Sequence, residues 1–338
     1  MLGLVAQVGG ADAETLLMWR SAHEGVPLSG RVIALSEWPA RWQRAWWQWP
    51  VIAWRFRRLL RSREGTVQRV WLFTHYVTVP LAFLVPRPER CFFVQDLEWR
   101  FAGKGWLSLV LKNLLKMAYA RGQVVVANAY LKEALESEGV KVSGMYPIWG
   151  GDRFAQPEQP GRDRDVDLLC IIRKGIAKRA DLYFELIKKV RSWDEKTSIH
   201  VILTDADFQE QARDLGVDVS MNLGPDQMAA LYNRAKVFVL LSDHEGFGLP
   251  PLEAMGAGCV PLCRQAGGTA AYMVDALERL HVPLESSVDE VAGLLREILT
   301  SKAELQGLSD ASRRIFEKGR NQAMASRVSA VRTIWGQS

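Results

Sequence analysis

The stretch from Lys236 to Cys263 reads "KVFVLLSDHEGFGLPPLEAMGAGCVPLC". An apolar run at 236–242 is followed by a glycine-containing loop, a segment that begins with two prolines, and a second apolar run at 259–263. Both runs are continuous rather than alternating, which is typical of parallel strands covered on both faces. Proline is favoured in the first turn of a helix, where its missing N–H would have no partner. The stretch therefore predicts a strand, a loop, a helix and a second, parallel strand.

The same pattern recurs along the chain. Between the apolar runs lie helical patterns, such as 181–190, where Tyr183, Leu186, Ile187 and Val190 are spaced at i, i+3, i+4 and i+7. This alternation predicts an α/β fold with parallel sheets. The other predicted strands lie at 31–35, 69–75, 91–96, 123–128, 166–172 and 199–204.

The length of 338 residues favours two domains, and 48% hydrophobic residues are enough to fill two cores. The segment "GGDRFAQPEQPGRDRD" is rich in Gly, Pro and charge and has no apolar period. We therefore predict an N-terminal domain over 1–150, a linker over 151–165, a C-terminal domain over 166–320 and a final helix over 321–338, which we expect to cross back to the first domain.

The net charge of +5 suits an anionic partner, such as a nucleotide diphosphate, a membrane surface or a nucleic acid. The four cysteines and five histidines show no metal-ligand spacing, so we expect buried, reduced thiols and no metal. We also expect no signal peptide and no spanning helix, since prolines interrupt the apolar run at 77–86.

Two carboxylates, Glu245 and Glu253, lie on either side of seven residues in the opening stretch. The loop between strand and helix is expected at the carboxyl end of a parallel sheet, where such sheets bind ligands. Free N–H groups at the start of the helix attract phosphate, and Gly246 and Gly248 permit close approach of the backbone. Glu253 is expected in the first turn of the helix, where it could accept paired sugar or ribose hydroxyls, and Glu245 on the loop itself. Alternatively, Glu253 is favoured only by the helix dipole and Glu245 is only a solvated loop charge.

A second predicted strand end carries positive charge. After the run at 166–172 comes "RKGIAKR", which holds four cations in seven residues, among them Arg173 and Lys178. An arginine fork and a lysine point charge suit a diphosphate. The alternative is an ordinary solvated basic loop. Near the N-terminus, Gly9 and Gly10 are expected between a short strand and a helix, but they do not form the dinucleotide-binding fingerprint.

These motifs together resemble the retaining glycosyltransferases of family 4. "EGFGLPPLEAMGAG" is similar to their paired-glutamate motif, "RKGIAK" to their phosphate clamp and "YPIWGGDRF" to their interdomain stretch. "VGGADAETLL" resembles their glycine loop and helix, and "VVVANAYLKEAL" the strand and helix before the linker. The resemblance implies the GT-B fold, in which two Rossmann-like domains have parallel sheets that face an interdomain cleft.

The resemblance also assigns roles. Glu245 would contact the donor sugar, Glu253 the ribose hydroxyls, and Arg173 and Lys178 the diphosphate. The backbone of Phe247, Gly248 and Leu249 would meet sugar and phosphate oxygens, while Gly9 and Gly10 would leave room for the donor. Such enzymes need no metal or other cofactor. The donor is a nucleotide sugar, and its base, whether in UDP, GDP or dTDP, is not distinguished.

The chain departs from the family pattern at three positions. Trp149 stands where asparagine is usual, Arg179 where glycine commonly follows the clamp lysine, and Ala271 where a glutamate is usual. One further segment, "FFVQDLEWRF", is similar to a stretch of some rhamnosyltransferases and marks Asp96 and Glu98 as acceptor-side candidates. The alternative for both is a capping role at the end of a strand.

The function implied is transfer of a sugar, with retention of configuration, from a nucleotide diphosphate to a hydroxyl of a glycan or lipid-linked acceptor. Synthesis of a bacterial surface polysaccharide, including lipopolysaccharide, is the expected setting. Two alternatives stay open, a sugar-nucleotide epimerase on the same fold and a non-catalytic binding subunit that the departure at Ala271 makes conceivable.

The segment 38–63 contains six of the thirteen tryptophans, seven arginines and no acid. This composition favours the headgroup layer of an anionic membrane, so we expect a cytoplasmic protein that docks on the inner face of the plasma membrane. Pro50 predicts two short helices rather than one. The alternatives are packing of the tryptophans into the core and, with little support, stacking on single-stranded nucleic acid.

Overall fold

The computed structural model describes residues 14–17, 31–34, 49–62, 70–102, 105–155 and 164–335. They form two compact units. The first contains the residues up to Ala127, Lys132–Tyr146 and the end of the chain from Arg327. The second contains Asn128–Leu131 and Pro147–Ser326.

The first unit is built on a parallel four-stranded sheet in the order β3-β4-β5-β6. Its strands are β3 (Trp71–Phe73), β4 (Arg90–Val94), β5 (Gln123–Val126) and β6 (Gly144–Met145). A separate parallel pair joins β1 (Glu14–Leu17) to β2 (Arg31–Ala34). The helices are α1 (Trp49–Arg61), α2 (Val79–Ala82), α3 (Trp106–Tyr119) and α4 (Ala129–Ser137), of which α4 begins in the residues grouped with the second unit.

The second unit has a six-stranded parallel sheet in the order β12-β11-β10-β7-β8-β9. Its strands are β7 (Val166–Ile172), β8 (Ile199–Leu203), β9 (Asp218–Met221), β10 (Ala235–Leu240), β11 (Val260–Arg264) and β12 (His281–Val282). The helices are α5 (Ala180–Trp193), α6 (Gln209–Asp214), α7 (Pro225–Arg234), α8 (Leu249–Gly256), α9 (Val288–Thr300) and α10 (Lys302–Trp335).

The predicted α/β class with parallel sheets is confirmed, and a strand forms at each predicted run. The four apolar residues predicted to share one face of a helix are all buried in α5. Apart from β1, which is discussed below, three strands were not predicted, β6, β9 and β12. None has a long apolar run, and two of them, β6 and β12, contain only two residues. All four cysteines are buried, as predicted.

The helix expected after Gly9 and Gly10 does not form at Glu14–Leu17, which is strand β1. Pairing with Arg31–Ala34 supplies hydrogen bonds to these four residues. A helix of one turn would be less stable, because forming the first turn of a helix is unfavourable. Gly9 and Gly10 lie outside the described residues.

Pro50 lies in the first turn of α1, so the predicted helix after this proline is confirmed. The helix expected before it, over 38–48, lies outside the described residues.

At the predicted linker, Phe154 packs edge-to-face on Tyr232, and the Arg164 guanidinium donates to the carbonyl oxygen of Ala257. The predicted domain boundaries stay predictions. No helix in the described ranges is both long enough and apolar enough to cross a membrane.

Candidate active site at the switch point of the second sheet

The strand order of the second sheet reverses between β7 and β10, which are neighbours although far apart in sequence. Parallel sheets of this order bind ligands beyond the carboxyl ends of their strands at such a switch point. The basic segment 173–179 leaves β7 there, and the glutamate loop 241–248 leaves β10 beside it. The topology therefore brings the two predicted motifs to one edge of the sheet.

The loop after β10 is held by backbone contacts. The N–H of Glu245 donates to the Ala266 carbonyl oxygen at 2.8 Å, and the N–H of Gly268 donates to the carbonyl oxygen of Glu245 at 3.1 Å. A Cβ atom on Gly268 would clash with the backbone of Gly246. The buried Asn128 amide donates to the Gly246 carbonyl oxygen at 2.8 Å. This loop is thus fixed from two sides.

The structure brings the three predicted catalytic side chains together. The Lys178 Nζ atom lies 2.8 Å from Oε1 of Glu245, and the Arg173 Nη2 atom lies 3.8 Å from the same oxygen. The Glu245 side chain is only 8% exposed, and a carboxylate buried this far requires a paired charge. A solvated loop charge is therefore wrong for Glu245, and the two cations are its partners.

Backbone donors follow shortly after Glu245 in the chain. Within the described part of the chain, the N–H groups of Phe247, Gly248 and Leu249 donate to no acceptor. Gly248 has a φ of +76°, and a Cβ atom there would lie 2.6 Å from the Tyr272 hydroxyl, so this position requires glycine. Helix α8 starts directly afterwards, and its next two residues are prolines without an N–H. The unpaired N–H groups are thus concentrated in three consecutive residues.

Aromatic packing fixes this donor segment. The Phe247 ring lies edge-on between Trp149 and Tyr272, with ring centroids 5.7 and 5.8 Å away. The Tyr272 hydroxyl donates to the Gly248 carbonyl oxygen at 2.7 Å, and the Trp149 indole donates to the carbonyl oxygen of Phe316 at 2.9 Å. Sequence reasoning missed the role of Tyr272 and noted Trp149 only as a departure.

Glu253 is the fifth residue of α8, beyond the first turn where it was predicted. Helix-dipole stabilisation therefore does not explain its position. Burial raises the pKa of its carboxyl to about 7, against a hydrogen bond from Tyr232 that favours the ionised form. The Tyr232 hydroxyl lies 3.4 Å from Oε2 of Glu253. A carboxylate held this way has lone pairs to offer to two neighbouring hydroxyls.

Arg179, which stands where glycine is usual, adopts the glycine-like backbone with φ +50° and ψ +49°. Its guanidinium pairs with Asp181 at 2.8 Å and with Asp243 at 3.2 Å. Ala271, a further departure in this unit, is exposed on a short 3₁₀ helix over Gly268–Ala271.

The acceptor-side candidates lie in the first unit, after β4. Asp96 Oδ1 accepts a hydrogen bond from the Leu97 N–H at 2.7 Å, which is the capping role that was the alternative. Glu98 is buried, and burial raises its carboxyl pKa to about 7, with a further rise from the nearby Asp96. Neither contact tests a role at an acceptor.

Among the described residues, no cluster of three or more His, Cys, Asp and Glu side chains is placed to hold a metal ion.

Comparison with known proteins agrees with this geometry. The family model of glycosyl transferases group 1 matches residues 152–321, half of the chain. The chain is 32% identical over 169 residues to GDP-mannose:cellobiosyl-diphosphopolyprenol alpha-mannosyltransferase of Komagataeibacter xylinus, covering 47% of this chain and 41% of the relative. It is 34% identical over 98 residues to MMP alpha-(1->4)-mannosyltransferase of Mycolicibacterium hassiacum, covering 29% of this chain and 24% of the relative. Each match spans less than half of the relative's length.

Among solved structures, the chain is similar to WaaG, a glycosyltransferase involved in lipopolysaccharide biosynthesis. The TM-score is 0.74, the identity is 16%, and the alignment covers 99% of this chain and 94% of WaaG. This likeness confirms the predicted GT-B fold class. By its fold and by the family model that covers its second unit, the chain belongs to the glycosyl transferases group 1.

Proposed function

We propose that this protein transfers a mannosyl group from GDP-mannose to a hydroxyl of a glycan or lipid-linked acceptor, with retention of configuration. The observation that carries the proposal is the cluster of Arg173, Lys178 and Glu245 beside three unpaired backbone N–H groups. Two cations and free N–H groups in a partly buried site suit the diphosphate that leaves when a sugar nucleotide reacts.

Charge develops on the diphosphate as its bond to the sugar breaks. Lys178 and Arg173 would bind that charge together with the N–H groups of Phe247, Gly248 and Leu249, and all five are positioned before the reaction begins. Preorganised donors of this kind stabilise a transition state because they need not reorient during the step. Residues of this chain thus supply the neutralisation that the leaving group needs.

Glu245 would change partners when the donor binds. Without donor its carboxylate accepts from Lys178, and the two cations balance its buried charge. A diphosphate carries more negative charge than one carboxylate and offers several oxygens to the same cations. Its arrival would release Glu245 towards the hydroxyls of the sugar, beside the reacting carbon.

The identity of the sugar is supported by the relatives. The two curated proteins differ in acceptor but share mannosyl transfer and α products in their names. Mannose is α-linked in GDP-mannose, so an α product requires retention. The donor is therefore better supported than the acceptor. Glu253 would bind the ribose hydroxyls of the nucleotide from the opposite end of the site.

A lipid-linked acceptor would place the enzyme at the inner face of the plasma membrane, and two helices of the first unit support this location. Helix α1 buries Ile52 and Phe56 and exposes Trp54, which is 59% exposed and has the Arg58 guanidinium 5.7 Å from its ring centroid. Core packing thus does not account for Trp54. The exposed arginines of this helix are Arg55, Arg57, Arg58 and Arg61.

Helix α3 exposes an apolar stripe that sequence reasoning did not single out. Its members are each between 45 and 72% exposed and recur at helical spacing. The helix also carries Lys112 and Lys116, which share Glu138 as an ion-pair partner and so keep a net positive charge beside the stripe. Apolar residues with tryptophan and cations on one helix fit a bilayer surface that contains anionic phospholipid. The stripe consists of Trp106, Leu107, Leu109, Val110, Leu114 and Met117.

Replacing either clamp residue tests the proposal most directly. Arg173→Ala and Lys178→Ala should each lower kcat/KM for GDP-mannose about 30-fold to 1,000-fold, since each removes a contact to the leaving group worth about 2–4 kcal/mol. Lys174→Ala is the matched control because Lys174 lies on the same loop but pairs with the exposed Asp207 at 2.6 Å. A clamp variant with wild-type kcat/KM would reduce that residue to a solvated charge.

The pH dependence of nucleotide binding tests Glu253. Its carboxyl has a pKa of about 7 in the free protein, and the ionised form accepts hydrogen bonds from a pair of ribose hydroxyls more strongly than the protonated form does. GDP affinity should therefore rise with pH, about tenfold between pH 6 and pH 8, as the carboxyl ionises. GDP affinity is measured by calorimetry at each pH for wild type and Glu253→Gln. Protonation of the nucleotide affects both proteins equally, so the difference between their pH profiles reports Glu253. An identical pH profile in both proteins would remove Glu253 from the ribose site.

Sedimentation with vesicles tests the membrane location. Recovery should require anionic phospholipid and fall with added salt, since exposed charges are screened. It should also fall when the four arginines of α1 become glutamine, or when Leu109, Val110 and Leu114 become serine. Matched controls in the second unit are Lys188→Gln with Lys196→Gln, and Met324→Ser, which alter exposed residues there. Equal recovery with neutral and anionic vesicles, or none, would contradict docking and favour a soluble acceptor.

A further inference from the structure

Asp243 contacts the residues on both sides of the clamp lysine. Its backbone N–H donates to the carbonyl oxygen of Ala177 at 2.8 Å, and its carboxylate Oδ1 lies 3.2 Å from Nη1 of Arg179. Lys178 is the residue between these two. Building on the function proposed above, we propose that Asp243 is a positioning residue that holds Lys178 in place for the donor diphosphate.

The backbone of Arg179 explains why such a hold is needed. With φ +50° and ψ +49°, this arginine lies in the left-handed region, which glycine adopts freely and other residues adopt at a cost. The cost persists only where surrounding contacts over-determine the conformation. Here those contacts are the ion pairs of the Arg179 guanidinium with Asp181 and Asp243. The ion pair with Asp243 thus offsets the free energy that arginine, unlike glycine, loses in this conformation.

A second arginine fixes the carboxylate itself. Arg264, at the end of β11, is 5% exposed, and its Nη1 atom lies 2.6 Å from Oδ1 of Asp243. The same guanidinium donates to the Leu241 carbonyl oxygen at 3.4 Å. Since Arg264 belongs to the sheet, Asp243 is anchored to a rigid element and transmits that position to the loop after β7.

The side chain of Lys178 depends on the same short segment. Its Nζ atom contacts Oε1 of Glu245 at 2.8 Å and the carbonyl oxygen of His244 at 3.4 Å. Residues 243–245 therefore fix both the backbone around Lys178 and the direction of its ammonium group. Without the Asp243 carboxylate, Arg179 would keep only its ion pair with Asp181. The strained turn beside Lys178 would then be held less firmly, and so would the Lys178 ammonium group.

A double-mutant cycle with Arg179→Gly tests this role. Asp243→Asn in the wild-type background should lower kcat for GDP-mannose transfer about tenfold or more and weaken GDP binding. Arg179→Gly alone should stay within about threefold of wild type, since glycine adopts the turn without help. In the Arg179→Gly background, Asp243→Asn should then cost less than about threefold. Melting temperatures are measured for all four proteins.

A merely structural role gives another pattern. If Asp243 only stabilises the fold through Arg264, Asp243→Asn will lower the melting temperature and activity equally in both backgrounds, which overturns the proposal. Asp207→Asn is the matched control, since Asp207 pairs with Lys174 on the same loop and should leave kcat unchanged. Absence of mannosyl transfer from GDP-mannose by the wild-type protein would instead refute the proposed function, so the two failures are distinguishable.

Discussion

A buried carboxylate between two cations organises the second unit of this protein. Glu245 needs Lys178 and Arg173 because its side chain has little access to water, and the cations come from a different strand end. Only the reversal of strand order between β7 and β10 makes those ends neighbours. A Cβ atom at Gly248 would clash with Tyr272 and one at Gly268 with the backbone of Gly246, so both glycines permit the close packing of this loop. Fold, loop shape and charge pairing are therefore parts of one constraint.

This constraint has a consequence for how the site would work. Without donor, Glu245 offsets one of the two positive charges, so this buried carboxylate is paired between turnovers. The diphosphate of a donor would satisfy the cations better than one carboxylate does, and the displaced Glu245 would gain a sugar hydroxyl as its partner. One set of contacts would thus serve stability without donor and chemistry with it.

Much of the second unit was predictable because its signals are local. The apolar runs before 173 and 243 predict strand ends, and the charged residues after them follow at once, so Arg173, Lys178 and Glu245 could be predicted to meet. Contacts between distant residues that no strand end marks could not be predicted. The amide of Asn128 on Gly246 and the edge contact of Tyr272 with Phe247 depend on packing that leaves no period in the sequence. The backbone of Arg179 was likewise hidden, since arginine gives no signal for a left-handed turn.

The first unit was less predictable. Helix α3 has the apolar period of a helix that covers a core, and exposure of its stripe is visible only in three dimensions. Strand β1 was taken for a helix because the partner that supplies its hydrogen bonds, β2, lies beyond a further segment of chain. Glu253 was placed one turn too early because the helix begins at Leu249 and not later, and its raised pKa follows from burial that the motif does not reveal.

The exchange of partners at Glu245 is the central claim, and calorimetric binding of GDP to wild type and Glu245→Gln tests it most directly. Glutamine has the same shape and no charge, so Lys178 and Arg173 would lose their shared anionic partner before the nucleotide arrives. GDP should then bind about tenfold more tightly to Glu245→Gln, a gain of ~1.4 kcal/mol. The gain should be smaller for GMP, which lacks the second phosphate. Equal or weaker binding of GDP to the variant would show that Glu245 does not compete with the diphosphate for these cations.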